Sequence, residues 1–492
     1  MASKPASLVK HTAIYWVGNA LNRVGAYLLL PLYTHYLSLS EYGALEMLYS
    51  VNSVLAVVLG AGLSHTTLRF YYEYDAERDR NSVIVTNMLV TSLLGLCGSA
   101  LIVYFSKGVS TLIFRSEAYA DAVAILAIIT VFELISEVMF AYLRARELSI
   151  PYVLISAGKL MIQLPATYYF LVHQEEGIIG VLKSNFLSVL FSWSVLMFIV
   201  IRNCGITINL GIVQPIMRYS IPFAASSIIW SVASNADKYI LNLMTDLANV
   251  GLYGLAMKLA TILRFLVIEP FGRSFGAYRF STMKNEDTAD VQGNISHYFF
   301  IVMSVIGFGI AIFSPEVLMF VSTSDYWDAS NYVPVILIGM LAQGMTYCYQ
   351  TGILFRKKTK YVLHISIGAM ILTIGLTYVM VHYMGLLGAA LSFSTVSVVV
   401  ALVTERVSQR LFTINYRHRE MFAVFGVILL FYVVQRSFGL DNVLIKILWK
   451  LAISLIMIFA VMRVDGYART MYENIIKFAR QRILVIRRRS VR

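Results

Sequence analysis

Charged side chains stand inside long apolar runs of this chain, and its chemistry has to be sought there. On the basic side are Arg23, Lys159, Lys183, Lys238, Lys258 and Arg264; the acids are Glu46, Glu133, Glu137 and Asp237, with Glu269 near the end of its run. At the centre of a bilayer-spanning helix each costs at least about 2.5 kcal/mol, so such groups face a bundle interior or a wet cavity and mark function by default. Cations outnumber acids, and pairing them off leaves positive charge over. That excess fits an anionic ligand: a pyrophosphate accepts from several Lys and Arg donors, and Arg can bind it bidentately.

Helical spacing decides which polar groups share a face, because residues at i, i+3, i+4 and i+7 line one side. Tyr15, Asn19, Asn22 and Arg23 make one stripe, Ser156, Lys159, Gln163 and Thr167 a second, and Ser231, Ser234, Asn235, Lys238 and Asn242 a third. Gln343, Thr346, Tyr347, Tyr349 and Gln350 suit sugar hydroxyls and rings. The six cations are therefore candidate substrate ligands, with Asn19, Asn22, Gln163, Asn235, Gln343 and Tyr347 as polar lining. Glu46, Glu133, Glu137 and Asp237 are candidates for coupling to an ion. The plainer alternative pairs Glu133 or Glu137 with Lys159 or Lys183 and Asp237 with Arg23, and lets Lys183 and Lys238 snorkel to the interface. Covalent catalysis has no constellation to work with. Cys97, Cys204 and Cys348 lack paired spacing, His11, His65, His364 and His382 are scattered, and no metal or cofactor signature occurs, so the chain reads as a non-enzyme.

The elements that carry these groups must lie in lipid. Hydrophobic residues make up 58% of the chain and charged ones 14%, with a mean hydropathy of +0.72, whereas soluble domains carry about a quarter charged residues. The expected fold is all-α and polytopic. About fourteen segments reach the roughly 20 apolar residues a span requires: 12–36, 43–68, 82–104, 117–142, 152–172, 177–201, 217–242, 250–270, 294–313, 330–354, 361–380, 385–408, 420–436 and 444–463. The first is too long for a signal peptide and contains Arg23, so it reads as a retained span. Loop charges alternate, with about 29 of the 40 basic residues in one set of loops, and the positive-inside rule then puts both termini in the cytoplasm. The net charge of +13 belongs to this topology signal, which argues against nucleic acid as a partner. Residues 464–492 form a basic amphipathic tail suited to anionic membrane lipids.

Leu39-Ser40-Glu41-Tyr42-Gly43 opens one span and Val250-Gly251-Leu252-Tyr253-Gly254 another, the two Tyr-Gly pairs lying about 211 residues and six spans apart. An even number of spans per repeat returns the chain to the same side, so two parallel six-helix lobes with a cationic cavity between them are expected. These are 1–205 and 206–412, followed by two extra helices over 413–463 and the tail 464–492. Leu32-Tyr33-Thr34 leading into Leu37-Ser38-Leu39-Ser40-Glu41-Tyr42-Gly43, the Tyr253-Gly254 counterpart and the span layout resemble the polysaccharide transporter family. These are the O-antigen and lipid-linked oligosaccharide flippases of the multidrug/oligosaccharidyl-lipid/polysaccharide (MOP) exporter superfamily. The resemblance implies transfer of an undecaprenyl-pyrophosphate-linked oligosaccharide, an O-antigen or exopolysaccharide repeat unit, from the inner to the outer leaflet of a bacterial cytoplasmic membrane. It further implies alternating access, coupling to a proton or sodium gradient, and a polysaccharide polymerase and chain-length regulator as partners. Two alternatives stay open: a peptidoglycan lipid-precursor flippase, and a multidrug or organic-ion antiporter, whose cavity should be acidic.

Overall fold

The structure, a computed structural model, describes residues 18, 23–283, 285–438 and 442–466. Asn19, Asn22, ten of the 25 residues of the expected first span and the tail beyond residue 466 lie outside the described residues. In chain order the helices are α1 (Leu30–Tyr36), α2 (Leu39–Gly60), α3 (Leu63–Tyr71), α4 (Glu77–Tyr104), α5 (Ser106–Phe114), α6 (Ala120–Ala145), α7 (Ser149–Thr167), α8 (Gly177–Cys204), α9 (Val213–Met244), α10 (Leu247–Leu263), α11 (Glu269–Ser281), α12 (Thr288–Val321), α13 (Val333–Tyr349), α14 (Thr351–Phe355), α15 (Lys360–Leu411), α16 (His418–Ser437) and α17 (Val443–Val464). Two π-helical segments, Tyr168–His173 and Arg264–Ile268, continue α7 and α10.

The all-α class stands, but the fourteen spans in two six-helix lobes that hydropathy predicts are not what the chain forms. Among the described residues nine helices are long and apolar enough to cross a membrane, or ten if the bent pair Ser324–Asn331 and Val333–Phe355 counts as one span. The differences have physical causes. α7 ends after 19 residues, where the backbone widens into a π segment just past Pro165. α9 has the length, at 32 residues, but Arg218, Asp237, Lys238 and its Ser and Asn residues dilute its apolar character. Expected spans 361–380 and 385–408 run together as α15, a 52-residue element broken at Gly385, whose φ of 54° and ψ of −131° are open to glycine alone. Thr377 Oγ1 lies 2.7 Å from Ser392 Oγ, which a straight helix would hold roughly 22 Å apart, so α15 folds back on itself at Gly385.

The chain divides into two compact units, Met1–Leu252 with Val321–Tyr326, and Tyr253–Phe320 with Trp327–Arg492. In the first, α6 is central: Val131, Val138, Met139 and Tyr142 pack with Ile84 and Met88 of α4 and with Leu196 and Val200 of α8. α2 starts at a capping box, in which Ser38 Oγ accepts from the Glu41 N–H at 3.3 Å and Glu41 Oε2 accepts from the Ser38 N–H at 2.9 Å. Asp246 serves α10 likewise, accepting from the Asn249 N–H at 2.8 Å. The two capped ends meet backbone to backbone. A Cβ on Gly43 would lie 1.7 Å from the Leu247 carbonyl oxygen, and one on Gly251 2.6 Å from that of Leu39. Lipid gives helices no hydrophobic reason to associate, so close approach through small residues is how such a crossing is held. Leu39 and Gly43 thus meet Leu247 and Gly251.

In the second unit, Ile301, Phe308 and Ile312 of α12 pack with Val424 and Ile428 of α16 and with Ile453, Met457 and Val461 of α17. A charge is buried in this apolar seam. Lys450, 1% exposed, donates to the Ile312 carbonyl at 2.5 Å and to both carboxylate oxygens of Glu316 at 2.7 and 2.6 Å. Near its other end the same α12 supplies His297, which bonds Asp465 just past α17.

Two expectations follow for thermal melting of the detergent-purified chain. Gly43→Ala and Gly251→Ala should both lower the midpoint, Gly43→Ala more, because its new methyl meets a backbone oxygen that cannot step aside. Lys450→Met strands Glu316 and should cost about 3 kcal/mol, while Lys450→Met with Glu316→Leu should recover most of the loss, since apolar replacement of a whole buried pair is often neutral.

Candidate functional site

α2 carries polar groups on two faces. One faces α9: Lys238 Nζ donates to Glu46 Oε2 at 2.7 Å, Tyr42 OH donates to Glu46 Oε1 at 3.2 Å, and Asn235 Nδ2 donates to Ser53 Oγ at 3.0 Å. Ser231 Oγ lies 3.4 Å from the same Ser53 hydroxyl. Glu46 and Ser53 are one i, i+7 step apart, and Ser231, Asn235 and Lys238 follow the matching stripe, so the two helices zip along polar seams. Asp237, also buried, accepts from the Lys238 backbone N–H at 2.8 Å.

The other face turns to α6 and α7. Asn52 Nδ2 donates to Glu133 Oε2 at 3.1 Å, and Thr130 Oγ1 donates to Asn52 Oδ1 at 2.5 Å. The other oxygen of Glu133, Oε1, is 4.0 Å from Lys159 Nζ, with both side chains 29% exposed. The ion pair that α2 makes and the ion pair that Asn52 of α2 touches therefore differ in kind. Lys238–Glu46 is in hydrogen-bond contact and largely enclosed, with side-chain exposures of 17% and 7%. Lys159–Glu133 is a separated, part-exposed pair. At 4 Å its attraction lies between about 1 kcal/mol in water and about 4 kcal/mol at the effective dielectric near a protein surface, which a doubly charged phosphate can outbid.

The remaining predicted residues are dispersed. Lys183 bonds Glu176 at 2.6 Å and is 43% exposed, a local pair at the start of α8 and not a neighbour of Lys159. Arg264 lies in the π segment before Pro270 and donates to Gln343 Oε1 in the second unit; Gln343 Nε2 in turn donates to Ser397 Oγ at 3.3 Å. Lys258, Gln163 and Glu269 are half-buried, and Arg23, Glu137 and Tyr347 are exposed. Of the six cations, Lys159, Lys183 and Lys238 thus each have a carboxylate partner. Asn52, Thr130, Tyr42 and Ser53 belong to these networks and escape a search for intramembrane charges because they are neutral. Their signal in the sequence is only that they are polar residues in apolar runs.

Because Lys238 is enclosed and Lys159 is not, removing their partners should have unequal effects. Glu46→Ala should lower stability by about 3 kcal/mol by leaving a buried cation unpaired, and Glu133→Ala by under about 1 kcal/mol. Melting curves of the two variants, side by side, check the order; equal losses would contradict it.

Comparison with known proteins adds a family and a fold. The sequence profile described as "Polysaccharide biosynthesis protein" matches residues 8–275. No curated protein matches the chain by sequence. Among solved structures, the lipid II flippase MurJ in an inward closed conformation superimposes with a TM-score of 0.73 at 13% identity, over 95% of this chain and 100% of that one. An inward-facing multidrug resistance MATE family transporter of the MOP superfamily gives 0.64 at 15% identity, over 80% and 97%. A MOP superfamily transporter from Pyrococcus furiosus gives 0.52 at 14% identity, over 82% and 95%. At these identities the likeness is one of fold.

Proposed function

The chain belongs to the polysaccharide biosynthesis protein family and has the fold of MOP superfamily transporters, and from that premise we propose that it moves a polyprenyl-pyrophosphate-linked saccharide across the bacterial cytoplasmic membrane. The cargo's acyl-like tail stays in lipid, and its charged headgroup needs a polar route with cations along it. The observation that carries this reading is Lys159. It stands near the middle of α7, an apolar helix, yet 4.0 Å from its carboxylate and part-exposed. A lysine meant only to hold helices together closes on its partner, as Lys238 does on Glu46. Lys159 keeps N–H donors for a phosphate, and its flexible stem lets the ammonium follow a moving headgroup.

Two saccharide cargos share that chemistry. The family description favours a polysaccharide repeat unit such as an O-antigen or exopolysaccharide precursor. The likeness to a lipid II flippase over nearly the whole chain favours the peptidoglycan precursor. An organic cation is the poorer cargo, because the group offered at Lys159 is positive.

Reconstitution into vesicles decides among these. Headgroup-labelled undecaprenyl-pyrophosphate oligosaccharide and labelled lipid II are each loaded in one leaflet, and their arrival in the other is followed by quenching. At least one should move at a rate that Lys159→Ala lowers by about tenfold, the scale of one charge-assisted contact to phosphate. Movement of neither lipid, or an unchanged rate in Lys159→Ala, would remove the proposal.

A further inference from the structure

We infer that Asn52 is a positioning residue that keeps Lys159 available to the phosphate of the cargo by holding Glu133 off it; the inference rests on the function proposed above. Asn52 sits on α2, while Thr130 and Glu133 lie one turn apart on α6, so one amide can grip both. Thr130 donates to its oxygen at 2.5 Å, and its nitrogen donates to Glu133 Oε2 at 3.1 Å. The carboxylate, which can only accept, fixes which way the amide points, and the Thr130 hydroxyl, also 2.8 Å from the Leu126 carbonyl, supports that direction. With the amide turned over, its oxygen would face the carboxylate, acceptor against acceptor. Thr130 is fully buried, so this support comes from inside the bundle and does not depend on solvent.

The consequence falls on the other oxygen. Glu133 Oε1 is 4.0 Å from Lys159 Nζ, about 1 Å beyond a charge-assisted hydrogen bond. Closing that gap would pull Oε2 away from Asn52. Elsewhere in the same unit, lysines with a carboxylate in reach do close: Lys238 on Glu46 at 2.7 Å and Lys183 on Glu176 at 2.6 Å. Of these three lysine pairs the one that stays open is the one whose acid is held from behind by an amide, much as Lys446 in the second unit stands 3.8 Å from Glu316, whose oxygens Lys450 already holds. The carboxylate then screens Lys159 while the site is empty without consuming its N–H donors, and an incoming phosphate does not first have to break a contact ion pair.

The test is binding of farnesyl pyrophosphate to the full chain in detergent, by titration calorimetry. Lys159→Ala should weaken binding about tenfold; unchanged binding there would sink both the cargo reading and this inference. Asn52→Ala should weaken it by a comparable factor although no charge has been removed, because Glu133 is released onto Lys159. Adding Glu133→Gln to Asn52→Ala should restore affinity to within about twofold of the starting protein, which a packing role for Asn52 does not predict. Thr130→Val, nearly isosteric, guards against misfolding of Asn52→Ala: it leaves the amide present but less firmly oriented and should show a smaller loss that Glu133→Gln also repairs. If Lys159→Ala loses affinity while Asn52→Ala and Thr130→Val do not, or if Glu133→Gln fails to rescue them, the positioning role is wrong and the cargo reading survives.

Discussion

The backbone contact of Gly43 and Gly251 places α2, and much of the first unit is arranged around α2. In lipid, two helices gain nothing from hiding apolar surface from one another, so their approach must be held by dispersion at short range and by polar groups that have nowhere else to bond. The α2 and α10 ends supply the first, with each glycine seated on the other segment's carbonyl. Above that crossing α2 supplies the second on both flanks, with Glu46 and Ser53 toward α9 and Asn52 toward α6. A side chain at position 43 would shift the helix on which all three bonds depend.

The same physics separates charged pairs that build from a charged pair that can work. Lys238 and Glu46 are enclosed and in contact, and Tyr42 occupies the remaining carboxylate oxygen, so nothing in that group is free to meet a ligand without leaving a charge stranded. Lys159 and Glu133 are separated and part-exposed. Exchange of one anionic partner for another there costs little desolvation, because neither group was fully desolvated to begin with.

How far the sequence foretold this depends on the range of the interaction. Helical period and apolar content act locally, and the all-α membrane class followed from them, as did the stripe of Ser231, Asn235 and Lys238. Span counting reads each window alone. It has no means of seeing that Gly385 turns α15 back on itself, that α7 gives way to a π segment, or that α9 is too polar for its length. Pairing was legible only in part: Glu133 with Lys159 stood among the pairs the sequence offered, but Lys238 meets a carboxylate 192 positions away, and Asn52 one 81 positions away. Charge alone drew attention to Lys159 and Lys238 equally, and only the burial and distance of their partners tell them apart. Lys450, the most deeply buried lysine described, drew none, because one cation in a strongly apolar run hardly lowers its hydropathy.

That lysine bears on how the protein is made. Of the described helices α17 leaves the ribosome last, and it brings two ammonium groups, Lys446 and Lys450, to a segment that must partition into hydrocarbon. Its counterion, Glu316, was delivered much earlier on α12, where Lys450 takes both oxygens and Lys446 stands 3.8 Å off. The insertion penalty of the last helix is therefore offset only where α12 is already waiting in the bilayer. The same contact relieves α12, whose carboxylate gains its counter-charge when α17 docks.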